Sequence, residues 1–160
     1  TLHTNDSLSA FTRLIDMGVE PFLVASSVRA VMAQRLARRV CQNCKTAAAP
    51  PKPIIAKYAS IQQRFTNLVT ASPDWVTSTG CDACQHTGYR GRMGLYEMAA
   101  VTDSIADLIM QNRPVHELHN AAEQDDFRTL LEDGLIKAAQ GVTSVEEVIR
   151  VAGQVGMDEN

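Results

Sequence analysis

With 160 residues, 45% of them hydrophobic and only 5% aromatic, the chain can bury one good core, or a core plus a small metal-stapled lobe, and has no room for a multidomain enzyme. The sequence has no apolar run long enough to span a bilayer and no cleavable leader, so a soluble cytosolic protein is expected. Thr1 opens inside an already patterned stretch, which suggests a cut from a longer protein.

The formal charge of −3 hides an asymmetry. Between Pro21 and Pro73 lie eight basic residues (Arg29, Arg35, Arg38, Arg39, Lys45, Lys52, Lys57, Arg64) and no acid, whereas from Asp74 onward fifteen acids face six bases. The two halves are expected to neutralise each other, within one fold or between copies, in preference to binding nucleic acid. Only Phe22, Tyr58 and Phe65 could stack bases in the basic half.

In chain order, residues 1–5 read as the end of a buried strand turning into polar residues. Asp6 or Ser7 can cap a helix that carries Leu8, Phe11, Leu14 and Ile15 on one face, and Gly18 stops it. Pro21 suits the first turn of a second helix. Its Val24, Val28, Val31, Met32, Leu36 and Val40 keep roughly helical spacing up to Cys41, which places Cys41 on a helix end. Pro50, Pro51 and Pro53 forbid a regular helix interior. A short amphipathic helix is predicted over 54–69, inside an insertion, residues 45–80, tied at its neck. Gly88, Gly91 and Gly94 permit tight turns ahead of a strand over 95–101. Four helices follow, near 103–112, 114–124, 126–140 and 144–151. Gly141 closes the third, Thr143 and Glu146 form a capping box for the fourth, and the tail is expected to fray.

The four cysteines form two C-x-x-C pairs, Cys41/Cys44 and Cys81/Cys84. A C-x-x-C puts two sulfurs on one tight turn so that both reach one ion, and two such turns supply the four thiolates of a closed tetrahedral zinc site. Four thiolates leave no position for water, so the zinc is expected to be structural. Two disulfides suit short secreted chains, and a redox C-x-x-C comes singly, so both fit less well. His86 follows closely but has no vacant coordination position to fill. His116 and His119 flank Glu117 in a pattern unlike H-E-x-x-H and are expected to be solvated.

Several further stretches complete a pattern: Leu2-His3-Thr4-Asn5; Ala33-Gln34-Arg35-Leu36-Ala37-Arg38 leading into the first cysteine pair; Gly80-Cys81 through Thr87-Gly88-Tyr89, Gly91-Arg92, Gly94 and Tyr96-Glu97; Arg128-Thr129-Leu130 to Asp133-Gly134; and Gly141 to Ser144 with Glu146-Glu147-Val148. In this order they resemble the C-terminal end of the type II secretion and type IV pilus assembly ATPases, within the secretion ATPase superfamily. The resemblance covers nearly the whole chain apart from 46–79.

The resemblance implies an α/β fragment of a RecA-like P-loop ATPase domain, mostly helical in this stretch, with a tetracysteine zinc subdomain and a C-terminal helical bundle. Its parts would be the end of the motor core (1–40), the zinc-binding insertion (41–84), a strand returning to the core (85–101), a helical subdomain (102–153) and a flexible tail. It further implies a cytoplasmic homo-hexamer docked on inner-membrane platform proteins, with ATP and magnesium bound elsewhere in the protein. The chain has no G-x-x-x-x-G-K-[ST] loop, so residues 1–160 alone are not expected to hydrolyse ATP. His3 would lie near the phosphates, and Arg92 and Glu97 in the segment that returns toward the nucleotide base. Arg35, Arg38 and Arg39 would meet acidic or phosphate-bearing surface elsewhere on the ring. A twitching-type retraction motor fits less well, because relatives of that kind usually lack the cysteine pairs. The competing class is a self-contained zinc module that binds nucleic acid or a partner protein.

Overall fold

The computed structural model describes residues 4–70 and 72–153. Among them the chain is mixed α/β, with seven α-helices and four strands in two two-stranded sheets. It forms two compact units. One comprises the residues up to 34 together with 96–129, and the other 35–95 together with those from 130 onward.

In the first unit, helix α1 (Ser9–Asp16) presents Phe11 to the core together with Leu8 just before it, and Gly18 (φ +90°) closes it. Asp6 fills the capping role: its carboxylate accepts the Ser9 N–H at 2.7 Å and the Ser9 hydroxyl at 2.6 Å. Helix α2 (Pro21–Ser27) carries Pro21 in its first turn. Leu8, Phe11 and Val24 pack with Ile105 and Ile109 of α4 (Asp103–Met110), Leu118 and Ala122 of α5 (Val115–Ala122), and Phe127. The i, i+4 spacing of Ile105/Ile109 and of Leu118/Ala122 puts each pair on one helix face.

The second helix expected from Pro21 to Val40 is a correction. It ends at Ser27, Val28 is extended (ψ 128°), and strand β1 runs from Ala30 to Val40. Valines at 24, 28 and 31 fit a helical period, but burial from Ala30 to Leu36 alternates with period two, leaving Met32 and Leu36 exposed at 60% and 54%. β1 pairs with a long strand near the end of the cysteine region, and this pairing overrides a local pattern of β-branched residues with modest helix propensity. That partner, β4 (Tyr89–Ala100), begins earlier than the strand expected over 95–101. Gly91 (φ +81°) and Gly94 lie inside it, and Gly88 alone precedes it. Val101 N–H donates to Arg29 at one end and Cys41 N–H donates to Gly88 at the other, both at 2.9 Å, so the strands run antiparallel.

In the second unit β2 (Lys45–Ala47) pairs antiparallel with β3 (Val76–Ser78) in the register Lys45 to Ser78 and Ala47 to Val76. Helix α3 (Lys52–Arg64) starts at the prolines, Pro53 falling in its first turn, where a missing N–H costs nothing. Tyr58, Ile61 and Phe65 are buried against Leu135, Ile136 and Ala139 of α6 (Leu130–Ala139) and Val145 and Val148 of α7 (Val145–Ala152). Residues 45–80 are therefore more than an insertion held at its neck, since their helix supplies core. The Tyr58 ring meets Trp75 edge-on at 5.0 Å.

The boundary near residue 126 also moves. Asp126 takes a left-handed φ of +58° and the next helix starts only at Leu130. The cap of α7 shifts by one residue from the expected Thr143/Glu146 pair. Ser144 Oγ accepts the Glu147 N–H at 3.3 Å, while the Thr143 hydroxyl donates to the Arg38 carbonyl at 2.7 Å.

Candidate metal centre and its surroundings

The cysteines sit at chain crossings of matching design. Cys41 to Cys44 links β1 to β2, and Cys81 to Cys84 links β3 to β4. The β2–β3 ladder and the Thr79 N–H to Cys44 carbonyl bond (3.3 Å) draw the two links together on one side. The Cys41 N–H to Gly88 carbonyl bond does so on the other. The first pair thus lies at a strand end and not on the expected helix end.

All four cysteines are free thiols, and their sulfurs lie within 4.8 Å of one another. Cys41–Cys81 and Cys44–Cys84 are separated by 3.9 Å and Cys81–Cys84 by 3.8 Å, far beyond a disulfide bond of about 2.05 Å. A tetrahedral ion with metal–sulfur bonds of about 2.3 Å needs sulfur–sulfur edges of about 3.8 Å. The residues therefore fit a metal ion held by four thiolates. The N–H groups of Cys81 and Gly88 donate to Cys84 Sγ at 3.2 and 3.3 Å and hold it in place.

The thiols titrate unequally. Burial, followed by hydrogen bonding to Cys81, pushes Cys44 up to about 12. Burial also pushes Cys84 up, but the N–H groups of Cys81 and Gly88 and the neighbouring sulfurs outweigh it and hold that thiol at about 6. A divalent cation among them favours the thiolate at every position. Gly80 (φ +91°) is required here, because a Cβ would lie 2.6 Å from the His86 carbonyl oxygen. His86 itself points its Nε2 to Asp82 at 3.0 Å, with both side chains mostly exposed, and is not among the ligands.

Beside the centre, the start of α7 is clamped to β1. Glu147, with a fully buried side chain, accepts the Arg38 N–H (2.9 Å), the Arg38 guanidinium (2.7 Å) and the Arg150 guanidinium (2.6 Å). Arg38 also stacks 4.0 Å above the Tyr89 ring, whose hydroxyl lies 2.8 Å from Ser144 Oγ. Arg38 thus finds its counter-charge in its own chain, contrary to the surface expected elsewhere on a ring. Lys57 and Arg64 do the same at buried Glu132, at 3.7 and 2.9 Å, and Lys45 lies 3.9 Å from Asp74. These pairs join the basic half to the acidic half, in line with neutralisation within one fold.

Burial pushes the Glu147 carboxyl up, but Arg150 and Arg38 overcome it and lower it from 4.5 to about 2. The folded value lies below the unfolded one, so the stabilisation is complete above about pH 4.5 and is lost as pH falls toward 2. Allowing for solvent screening at the half-exposed arginines, the loss is expected to be on the order of 2 kcal/mol. Glu147→Gln forfeits it at neutral pH already, so its urea-unfolding free energy should fall less steeply with acid than that of the parent. Parallel pH profiles would contradict this.

Of the other expected site residues, His3 lies outside the described residues. Arg92 is exposed and lines an open groove of about 230 Å³ with Arg38, Thr87, Tyr89 and Gly91. Glu97 is fully buried, and Ser7 donates both its N–H and its hydroxyl to Glu97 Oε1 at 2.7 Å. His119, expected to be solvated, packs edge-on against Phe127 and lies 3.8 Å from Asp6. The Glu147 clamp was missed in the sequence, although Glu147/Arg150 at i, i+3 was a readable signal.

The family model described as "Type II/IV secretion system protein" matches residues 1–150. The chain is 42% identical over 151 residues to the type II secretion system protein HxcR of Pseudomonas aeruginosa, covering 94% of this chain and 27% of that protein. It is 42% identical over 153 residues to the type II secretion system ATPase E of Vibrio cholerae, covering 94% and 28%. With the type IV pilus assembly ATPase PilB of Thermus thermophilus the identity is 38% over 149 residues, covering 93% and 16%. The chain thus spans little more than a quarter, or less, of the length of these relatives. With its motifs in register across residues 1–150, the chain belongs to the type II/IV secretion system protein family.

Proposed function

We propose that residues 1–160 form the C-terminal, zinc-bearing part of a motor ATPase that powers type II secretion or type IV pilus assembly. Support comes from the relatives, which bear the names of secretion and pilus assembly ATPases and align over more than nine-tenths of this chain. In this reading the fold is part of a RecA-like P-loop domain, the protein works in the cytoplasm as a homo-hexamer on an inner-membrane platform, and ATP and magnesium are held mainly by the rest of the protein. No helix among the described residues is long and apolar enough to cross a membrane.

The four-thiolate centre takes zinc, which supplies structure and no open coordination position. His3 acts at the phosphates, where an imidazole can donate to an oxygen or orient water near neutral pH. Arg92 belongs to the nucleotide-facing side near the base, through its exposed guanidinium. Glu97, assigned to the same region, serves it from behind, since its carboxylate is taken up by Ser7. The paired cysteines weigh against a retraction motor.

Elemental analysis of the purified protein tests the metal, with about one zinc per chain expected; two intact disulfides and no metal would overturn it. The rival zinc module that binds nucleic acid expects tight duplex binding with a steep salt slope. Pairing of Arg38, Lys57 and Arg64 with Glu147 and Glu132 weighs against that outcome.

A further inference from the structure

The ion pairs of the second unit close within it. Arg38, Lys45, Lys57, Arg64 and Lys137 meet Glu147, Asp74, Glu132 and Asp133, and all of these residues belong to that unit. Three exposed arginines of the same unit are left over. Arg39, Arg90 and Arg92 form no ion pair among the described residues. They gather at one place on the β1–β4 pair: the Arg39 stem comes within 3.8 Å of where a Cβ on Gly91, between Arg90 and Arg92, would stand.

The first unit has the opposite surplus, with ten acids against four bases. Part of that surplus lines a socket of about 170 Å³. Its lining combines buried Ile105, Ala122 and Phe127 with exposed Met98, Asp125 and Asp126. Asp125 accepts the Thr102 hydroxyl at 3.1 Å, and neither aspartate has a cationic partner among the described residues. An apolar floor with carboxylates at the mouth suits a side chain with an apolar stem and a cationic end. Arginine is that side chain: its methylenes can lie on the floor while its guanidinium meets a carboxylate through two parallel hydrogen bonds.

We propose that this socket is a docking surface for a second copy of the chain, which presents Arg39 and Arg90 to Asp125 and Asp126. The proposal deepens the homo-hexamer reading given above by naming the surfaces that meet; Arg92 stays with the nucleotide. Socket and arginines are different surfaces of one chain, so the contact is head to tail. Each copy that receives arginines still has its own to offer, and the contact repeats until a rotation closes it into a ring. Charge complementarity fixes the choice of partner, since the second unit has used its buried acids on its own bases and the first unit has too few bases to neutralise itself.

Sedimentation velocity of the full-length protein over a range of concentrations tests this. Asp125→Lys with Asp126→Asn is expected to weaken self-association at least about tenfold, asparagine being chosen because it tolerates the left-handed φ of +58° at that position. Arg39→Glu with Arg90→Glu is expected to do the same. All four changes in one chain should restore association to within about threefold of the parent. Should the socket variant fold poorly, the arginine variant carries the readout, because both of its side chains are exposed. A parent that stays monomeric, or an arginine variant that assembles like the parent, would overturn the proposal. A weakened socket variant beside an unaffected arginine variant would give the socket to a different basic segment and overturn it as well. ATP turnover is read on the same samples. A parent that assembles but turns over no ATP would refute the motor reading and leave the contact standing, whereas turnover with unchanged assembly in every variant would refute the contact alone.

Discussion

Stripping the metal with a chelator is expected to unfold the unit built from residues 35–95 and 130 onward while leaving the other unit's transition in place. The reason lies in the wiring. Each cysteine pair lies in the segment that joins two consecutive strands, β1 to β2 and β3 to β4, and the centre fixes both segments at one point. β2 and β3 are three residues each and fully pair only with each other, so the ladder cannot stand alone. Structural zinc on four thiolates contributes apparent binding free energies on the order of 10 kcal/mol, comparable to the whole stability of a small unit. We expect the metal-free protein, or Cys44→Ser, to lose more than about 10 °C in the melting temperature of this unit. The separate core of Leu8, Phe11, Ile105 and Leu118 includes no cysteine and should keep its own transition. Acid acts in the same direction, because protonated thiols no longer bind the ion. A chelated protein that melts like the metal-bound one would reduce the centre to an ornament.

In the full-length protein, His3→Ala is expected to lower ATP turnover by roughly a hundredfold or more, with ATP affinity changed no more than a few-fold. Interactions present only as the phosphoryl group is transferred raise kcat, whereas contacts to the base and sugar contribute equally before and during the step. A histidine at the phosphates belongs to the first kind. In the proposed reading Arg92 lies toward the base and belongs to the second, so Arg92→Ala is expected to raise KM for ATP more than it lowers kcat. Normal turnover in His3→Ala would leave that residue without a part in the chemistry.

Much of this was legible beforehand where one physical rule dominated. Four cysteines in two matched pairs specify their own meeting, and the structure brings the sulfurs within 4.8 Å. Helices with an apolar stripe and a marked end, such as α1 with Asp6 and Gly18, appear within a residue or two of their expected bounds. The pattern from Val28 to Val40 failed because valines at 24, 28 and 31 fit a helical period, and the partner strand that overrides it lies 49 to 70 residues away along the chain. Side-chain partners were the least legible. Nothing local says that Arg38 would choose Glu147, or that Glu97 would turn inward to Ser7, since both depend on packing that brings distant residues together. The role of α3 as core was hidden for the same reason.

The most direct test of the motor reading is ATP hydrolysis measured side by side for the full-length protein and for residues 1–160, both with zinc bound. The transfer needs a backbone cradle and a lysine on the β- and γ-phosphates and a hydroxyl and carboxylate on magnesium, and residues 1–160 contain no phosphate loop to supply them. Turnover is expected from the full-length protein and none above background from residues 1–160. Hydrolysis by residues 1–160 alone, or none by the full-length protein, would contradict it.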